Sequence, residues 1–230
     1  NCETEKANKN LQSLYEKAYI MLKNVNNISL AAKLSSKEEL TASLVDFSSL
    51  VESAFKGAEM VLPSYVKIST EIQSGAIVKG NSALLSNGMF NLLLNSIEYK
   101  KEGNVEIQVK LKLAGDRCVL TYSDNSLGIK PTVAPFIFDF YYSHNPYDDG
   151  EKSTKLGLGL FIAKAAIENA NGSFIFQSEF DGGVKYGISI PLCNNDGGDV
   201  LKSKPKDFVM NRYSEMFVQL CEYCTLPDLC

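Results

Sequence analysis

The sequence lacks several features that would assign it to a broad class at once. No apolar run approaches the ~20 residues that a membrane-spanning helix needs. The net charge is −4, so there is no positive excess with which to attract nucleic acid or an anionic membrane. No signal peptide is present, and the chain begins at Asn1 rather than at Met. We therefore expect a globular, cytoplasmic piece of a longer protein, and we leave open whether the full-length protein is anchored in the cell membrane.

Cysteine and histidine are also scarce. Six cysteines in 230 residues are too few for a disulfide scaffold. Cys221 and Cys224, followed by Cys230, could suggest zinc, but a structural zinc site usually has four soft ligands. The only histidine, His144, is distant in the sequence. We therefore favour free thiols over a zinc site.

The first 62 residues have helical periodicity and are expected to form a helical arm. Apolar residues recur at three- and four-residue steps between Leu11 and Val25, which predicts an amphipathic helix over residues 3–27. Such a stripe near a chain end needs a partner helix, from this chain or from a second copy. The Ser-Ser-Lys-Glu segment at residues 35–38 has the pattern of a helix start, so a second helix is predicted to reach about Lys56.

Alternation of apolar and polar residues predicts strands in the remainder of the chain. The clearest alternation precedes a turn at Gly115-Asp116, which predicts an antiparallel hairpin. The predicted strands are Val66–Ile72, Gly75–Gly80, Val105–Leu113, Arg117–Ser123, Ser173–Ser178 and Val184–Pro191. The predicted helices between them are at 81–101 and 161–169.

This order of elements predicts an α+β fold, a two-layer sandwich with helices on one face of a mixed, mostly antiparallel sheet. We expect this domain to span residues 63–193. A linker then leads into a C-terminal tail at 194–230, with a helix predicted at 203–222.

Two asparagines lie on the central helix. Asn91 and Asn95 are four residues apart, so their side chains share one face of the helix, while Leu92, Leu93 and Leu94 make the rest apolar. Burying two carboxamides is costly unless something satisfies them. A hydrated Mg²⁺ carrying a polyphosphate would do so, because magnesium prefers oxygen ligands. The alternative is that both amides face water.

Two later segments could also serve a nucleotide. Asp124 ends a strand, where its carboxylate could accept a hydrogen bond from the exocyclic amino group of adenine. Gly128 would let the backbone approach a flat ring closely. Gly157 and Gly159 open a helix whose free N–H groups would favour phosphate. Taken singly, the carboxylate could simply belong to a turn and the glycines to a hinge.

The joint order of these pieces resembles a known family. Asn-x-x-x-Asn on a helix is followed by Asp-x-x-x-Gly-Ile, a Phe-rich stretch, a polar loop and Gly-Leu-Gly-Leu at a helix start. This order resembles the ATP-binding catalytic domain of sensor histidine kinases, which have the Bergerat fold. Their superfamily, called GHKL, includes heat-shock ATPase chaperones, type II topoisomerases and mismatch-repair ATPases. The resemblance covers about residues 64–192.

The resemblance implies a set of residues around ATP and Mg²⁺. Asn95 would bind Mg²⁺, with Asn91 near the phosphates and Tyr99 against the base. Phe140 and Tyr141 would anchor the near end of a lid. The residues implied to contact the nucleotide are Asn91, Asn95, Glu98, Tyr99, Asp124, Ser126, Gly128, Ile129, Tyr141, Lys155, Leu156, Gly157, Leu158, Gly159 and Leu160.

The sequence also departs from the family pattern. Ser126 replaces the first glycine of the Asp-x-Gly-x-Gly box, so we expect the loop to be shifted. Asp139 replaces a common proline. Asn171 replaces a glycine at a position where asparagine tolerates the left-handed conformation. Glu98 stands where many kinases have lysine, but one branch of the family has glutamate here, which could bind near the metal.

The resemblance implies phosphoryl transfer to a histidine outside this chain. Water-splitting relatives carry a glutamate one turn before the metal asparagine, whereas Asn91 cannot act as a base. Residues 1–62 contain no histidine, and we interpret His144 as a solvated lid residue. The helix at 3–27 resembles the second, dimerising helix of such kinases, which implies a homodimer and a response regulator as partner. Two alternatives remain: a degenerate, non-catalytic scaffold, and an anti-sigma-type serine kinase, against which the helical arm argues.

Overall fold

The computed structural model describes residues 2–36, 40–143, 156–194, 198–211 and 213–224, without the side chains of residues 2–6, 8 and 9. The helices are α1 (Cys2–Ser35), α2 (Phe47–Val61), α3 (Ser82–Glu98), α4 (Gly159–Asn169), α5 (Pro205–Val209) and α6 (Glu215–Leu220). The strands are β1 (Ser43–Asp46), β2 (Val66–Ile72), β3 (Ile77–Gly80), β4 (Val105–Ala114), β5 (Arg117–Asp124), β6 (Ser173–Glu179), β7 (Gly183–Pro191) and β8 (Val200–Leu201).

The main sheet has five strands in the order β2-β4-β5-β7-β6. β2 pairs with β4 in parallel, and the other three pairs are antiparallel. Along β4, Val105, Ile107 and Val109 are buried, whereas Glu106 and Gln108 are exposed. The predicted alternation is therefore confirmed, and it gives the sheet one apolar face.

Helices α2, α3 and α4 cover this apolar face. Leu92, Leu93 and Ile97 of α3 belong to the same core as Leu120 of β5. The helix starts at Asn81, whose side chain accepts a hydrogen bond from the Leu84 N–H at 3.0 Å. The predicted two-layer α+β arrangement is thus the observed one, and it places the asparagine-bearing helix directly above the central strands.

The predicted second helix of the arm differs from the observed structure. Residues 43–46 form β1, which pairs with β3, and α2 begins only at Phe47. The Asp46 side chain caps α2 by accepting from the Ser49 N–H at 3.0 Å. The helix-like spacing of the apolar residues before Phe47 is overridden because Val45 is buried against β3 in the common core.

The boundaries that the sequence predicted for the helical arm also need to be moved. α1 continues past residue 27 to Ser35, because Ala31 and Leu34 extend its apolar face onto α4. α2 lies in the domain core, so we propose that the catalytic unit starts near residue 43 rather than 63.

The C-terminal tail differs from its prediction as well. The predicted helix at 203–222 is two short helices, since Ser214 caps a new start by accepting from the Phe217 N–H at 3.5 Å. Met216, Phe217 and Leu220 are buried in the domain core. Within the described residues, no helix combines the length and apolar character that crossing a bilayer requires.

Candidate nucleotide-binding site

A cavity of about 320 Å³ lies between α3, the loop after β5 and the start of α4. The structure brings most of the predicted residues together on its wall. The predicted residues that line it are Asn91, Asn95, Glu98, Tyr99, Asp124, Ser126, Gly128, Ile129, Leu156, Gly157, Leu158, Gly159 and Leu160. Segments that are far apart in the sequence therefore form one site.

Asp124 lines this cavity with most of its acceptor capacity used. Its Oδ1 accepts from the N–H groups of Ser126 at 3.0 Å and Val184 at 3.1 Å. Its Oδ2 accepts from the Ser96 hydroxyl at 2.5 Å. An ionised carboxylate has about four acceptor sites, so about one is left for a donor on a ligand. These bonds fix the carboxylate before any ligand arrives.

Ser96 and Tyr122 belong to this site but were not predicted from the sequence. The Ser96 hydroxyl is 2.7 Å from the Tyr122 hydroxyl, and both side chains are buried. Burial, followed by the charge of Asp124, raises the pKa of Tyr122 well above its usual value. Tyr122 therefore stays protonated and can donate to Ser96, which donates to Asp124. The only feature of the sequence that points to these residues is a tyrosine on the predicted buried face of β5. The alternation of the strand already accounts for that tyrosine as a core residue.

The loop after Asp124 runs through the buried Ser126 to Gly128. Ser126 does not have a positive φ, so a glycine is not required there. Gly128 does need to be glycine: its φ is 73°, and a Cβ there would lie 2.2 Å from the Glu179 carbonyl oxygen. Ile129 is held by its N–H, which donates to the Ser178 hydroxyl at 2.8 Å.

The other end of the cavity is formed by amide side chains and glycine backbone. Asn91 is 2% exposed, and its Nδ2 donates to the carbonyl oxygen and the Oδ1 of Asn87. A Cβ at Gly159 would lie 2.8 Å from the Asn91 Oδ1, so α4 approaches α3 closely here. Asn95 and Glu98 follow along the same face of α3 and line the cavity.

The start of α4 fits an anionic ligand. Leu158 occupies the N-cap position, and among the described residues no side chain caps this end by a hydrogen bond. The first N–H groups of a helix lack intrahelical partners and lie at its positive end. Gly157 has a φ of 64°, and a Cβ there would meet the Tyr142 carbonyl oxygen at 2.3 Å.

The lid residues are only partly where the sequence predicted. Phe140 packs edge-on against Phe161, with ring centroids 5.0 Å apart, which anchors the near end of the loop on α4. Tyr141 has a φ of 62° and is 54% exposed, and it does not line the cavity. The left-handed turn at Tyr141 places Tyr142 on the wall instead. Lys155 and His144 lie outside the described residues.

Helix α1 forms a wall of the cavity that the sequence did not predict. Ile20, Lys23 and Asn27 line it, together with Glu222 from the tail. Lys23 is buried and forms an ion pair with Glu222. Asn27 and Gln219 exchange hydrogen bonds through their carboxamides at 2.7 and 3.4 Å. The N-terminal helix and the tail are therefore joined at the wall of the cavity.

The donor set fits magnesium bound with a polyphosphate. Asn91, Asn95 and Glu98 offer hard oxygen ligands along one helix face. Mg²⁺ usually takes only one or two protein ligands and fills its octahedron with phosphate oxygens and water. In the part of the chain that the structure describes, no group of three or more His, Cys, Asp or Glu side chains is arranged for a metal. A site completed by nucleotide oxygens matches this arrangement better than an all-protein site does.

Comparison with known proteins identifies the family. The model of the family described as "Histidine kinase-, DNA gyrase B-, and HSP90-like ATPase" matches residues 80–194, half of the chain. The chain therefore belongs to this ATPase family, and the resemblance drawn from the sequence is confirmed. The match begins just before the asparagine-bearing helix and ends after β7.

Several curated relatives are sensor kinases. The sensor histidine kinase RppB of Synechocystis sp. is 27% identical over 135 residues, which are 58% of this chain and 29% of RppB. The sensor protein kinase WalK of Staphylococcus haemolyticus is 28% identical over 185 residues, 78% of this chain and 30% of WalK. The chain thus spans less than a third of the length of either relative.

Solved structures share the fold. The Acinetobacter baumannii histidine kinase AdeS matches with a TM-score of 0.60 and 17% identity, over 80% of this chain and 84% of that one. Full-length ShkA, solved in complex with AMPPNP, matches with a TM-score of 0.62 and 18% identity, over 81% of this chain and 39% of ShkA. The α+β fold with an N-terminal helical arm is therefore confirmed.

Proposed function

We propose that this chain binds ATP·Mg²⁺ and transfers the γ-phosphate to a histidine on another segment or chain, as the catalytic part of a sensor histidine kinase. The observation that carries the proposal is the polarity of one cavity. Asp124, beside Ser96, has about one acceptor site left, and amide oxygens and helix N–H groups lie at the opposite side, where Asn91 approaches Gly159. The amino group of adenine needs such an acceptor, and a triphosphate with Mg²⁺ needs such oxygens and N–H donors.

At the base, Asp124 accepts from the exocyclic amino group, while Gly128 and Ile129 lie beside the ring. Guanine presents a carbonyl oxygen at that edge, which a carboxylate repels, so the site prefers adenine. Tyr99 extends this end of the wall. The rigid bonds to Asp124 lower the cost of ordering the site when ATP binds.

At the phosphates, Asn95 would hold the metal, and Asn91 lies on the same face of α3. When bound, Mg²⁺ would supply charge neutralisation for the transferring phosphoryl group. The N–H groups at the start of α4 bind phosphate oxygens, and the chain contributes chiefly positioning and electrostatic stabilisation. Because Asn91 is an amide and cannot take a proton from water, the site favours transfer to a protein nucleophile over hydrolysis.

The outer face of α1 supports a homodimer. Leu14, Met21, Val25 and Ile28 are exposed, although α1 buries its opposite face on its own domain. Together with Leu11 and the exposed Ala18, they follow a spacing of three and four residues, which is the pattern of a coiled-coil seam. We propose that a second copy covers this stripe, and that a response regulator receives the phosphate.

The two alternatives predict different nucleotide chemistry. Ser126 and the missing histidine motivate the scaffold hypothesis, yet Ser126 needs no glycine conformation. A serine kinase of the anti-sigma type would bind ATP but would phosphorylate a hydroxyl, giving an acid-stable product. Phosphohistidine is acid-labile, so product stability separates the two kinases.

The test has two steps on the same protein. Calorimetry with Mg²⁺ and a non-hydrolysable ATP analogue should give saturable binding with a stoichiometry of one per chain. A dimerisation helix carrying a histidine is then supplied with labelled ATP, and the label should appear on that helix in acid-labile form. Absence of binding would leave the scaffold hypothesis, and an acid-stable product would favour the serine kinase.

A further inference from the structure

The C-terminal tail reaches the phosphate end of the site through a chain of buried polar side chains. Glu215, the first residue of α6, accepts from the Asn87 Nδ2 at 2.5 Å. The Asn87 Oδ1 accepts from the Asn91 Nδ2 at 2.6 Å. Asn87 and Asn91 are 1% and 2% exposed. Three side chains thus connect the tail to the cavity wall.

The chemistry of these groups fixes which atom faces which. An ionised carboxylate can only accept hydrogen bonds, so Asn87 must turn its NH₂ toward Glu215. The Asn87 oxygen then faces Asn91, which must in turn present its own NH₂. The Asn91 oxygen is left facing Gly159, at the start of α4. A hard oxygen is thereby presented on the side where phosphate and Mg²⁺ would lie.

The opposite orientation of Asn87 would be unfavourable. Its NH₂ would then lie 2.6 Å from the Asn91 NH₂, with a donor against a donor. Asn91 also donates to the Asn87 carbonyl oxygen at 3.0 Å, so turning Asn91 round would forfeit that bond too. In this buried place an unsatisfied polar group has no water to replace its partner.

We propose that Glu215 is a positioning residue of the nucleotide site, which acts through Asn87 to hold the Asn91 oxygen toward the triphosphate. This inference rests on the proposed function, because it assigns a purpose to the Asn91 oxygen. The C-terminal tail, which lies outside the residues matched by the family model, thereby contributes to the nucleotide site.

The packing of the tail supports this role. Met216, Phe217 and Leu220 are buried in the domain core, which holds α6 firmly against α3. The Ser214 hydroxyl donates to the Phe208 carbonyl oxygen at 2.6 Å, which fixes the turn just before Glu215. Burial raises the pKa of Glu215, and the bond from Asn87 opposes this rise. A carboxylate in this place is costly for folding, which argues for a purpose beyond packing.

A charge-swap experiment tests the proposal. Glu215→Gln lets Asn87 adopt either orientation, because glutamine both donates and accepts. Asn87→Asp places two carboxylates together. The double variant Asn87→Asp/Glu215→Gln restores the order of atoms, since the introduced glutamine would donate to the introduced aspartate, which would still accept from Asn91. Asp207→Asn, an exposed carboxylate in the same tail, is the matched control.

Calorimetry is run with Mg²⁺·AMP-PNP and, separately, with adenosine. We expect Glu215→Gln to weaken AMP-PNP binding roughly tenfold, the scale of one hydrogen bond to a charged group. Adenosine binding should be unchanged, because Asp124 is untouched, and the double variant should regain most of the loss. The Asn87 and Asn91 side-chain amide resonances, followed by NMR without nucleotide, should shift in Glu215→Gln, and the Asn91 resonance should return in the double variant.

Three outcomes of the binding measurements would overturn the inference. These are unchanged AMP-PNP binding in Glu215→Gln, equal losses for AMP-PNP and adenosine, or a double variant no better than the single ones. The inference would also be overturned if the Asn87 and Asn91 amide resonances did not shift in Glu215→Gln, whether or not any nucleotide bound. If wild-type protein bound neither ligand while the resonances moved as expected, the coupling would be real but the proposed function, and with it this purpose, would fail.

Discussion

Replacing Asp124 with asparagine should remove adenine recognition while keeping the fold. The Asp124 Oδ1 accepts two backbone N–H bonds, from Ser126 and Val184, so the asparagine oxygen must take that place. The new NH₂ then occupies the Oδ2 position. Ser96 can adjust, because its hydroxyl already lies 3.2 Å from the Leu92 carbonyl oxygen and can donate there while accepting from the amide.

The expected loss follows from the change of acceptor to donor. The adenine amino group would meet an NH₂ instead of a carboxylate oxygen, so the bond is lost and replaced by repulsion. A hydrogen bond to a charged group contributes about 1.5–3 kcal/mol. At about 1.4 kcal/mol per factor of ten, ATP affinity should fall about 10- to 100-fold. Inosine triphosphate, which has a carbonyl at that edge, should lose little or gain.

Competition titrations with ATP and inosine triphosphate, on folded protein verified by thermal unfolding, provide the assay. Asp116→Asn is the matched control, because Asp116 is an exposed carboxylate in a turn. The hydrogen bond that it accepts from the Leu192 N–H goes to its backbone carbonyl oxygen, so the substitution leaves this bond in place. An Asp124→Asn protein that binds ATP as tightly as wild type would refute the reasoning. Equal losses for both nucleotides would refute base recognition by this carboxylate.

Three further outcomes are expected. Gly115→Ala should cost about 1 kcal/mol of unfolding free energy from left-handed strain alone, since nothing lies near its Cβ. Gly128→Ala should cost at least about 2 kcal/mol more, because its Cβ would strike the Glu179 carbonyl; equal costs in denaturant unfolding would contradict the packing. Asn95→Ala should weaken Mg²⁺·ATP binding about tenfold and spare adenosine, as calorimetry can show, whereas parallel losses would exclude a metal role. Met21→Glu should convert a dimer into a monomer in sedimentation, and a monomeric wild type would exclude the seam.

The fold was predictable where local pattern and tertiary packing agree. The alternation of β4 and the hairpin at Gly115 were correct because one face of that sheet is buried. The predicted start of the second helix was wrong because Val45 pairs with β3, which lies far along the chain. A helical spacing of apolar residues cannot reveal such a partner. The tail helix was divided because the Ser214 cap competes with helix continuation.

Most of the candidate site was predictable because its residues are grouped in short motifs. The residues that were missed act through partners distant in sequence: Ser96 matters because it touches Asp124, and Lys23 because α1 folds back over the cavity. Tyr141 was misplaced because a left-handed residue reverses the direction of the chain, which spacing does not reveal. Motifs predict the first contacts with a ligand, whereas the supporting contacts require the fold.

The central claim is that one adenine nucleotide, bridged by magnesium, lies between α3 and the start of α4. A crystal structure of the chain with Mg²⁺ and AMP-PNP tests it most directly. We expect the adenine amino group within hydrogen-bonding distance of Asp124, and the metal about 2.1 Å from the Asn95 side-chain oxygen. An analogue bound elsewhere, or α3 and α4 closed upon each other with the cavity gone, would contradict the account.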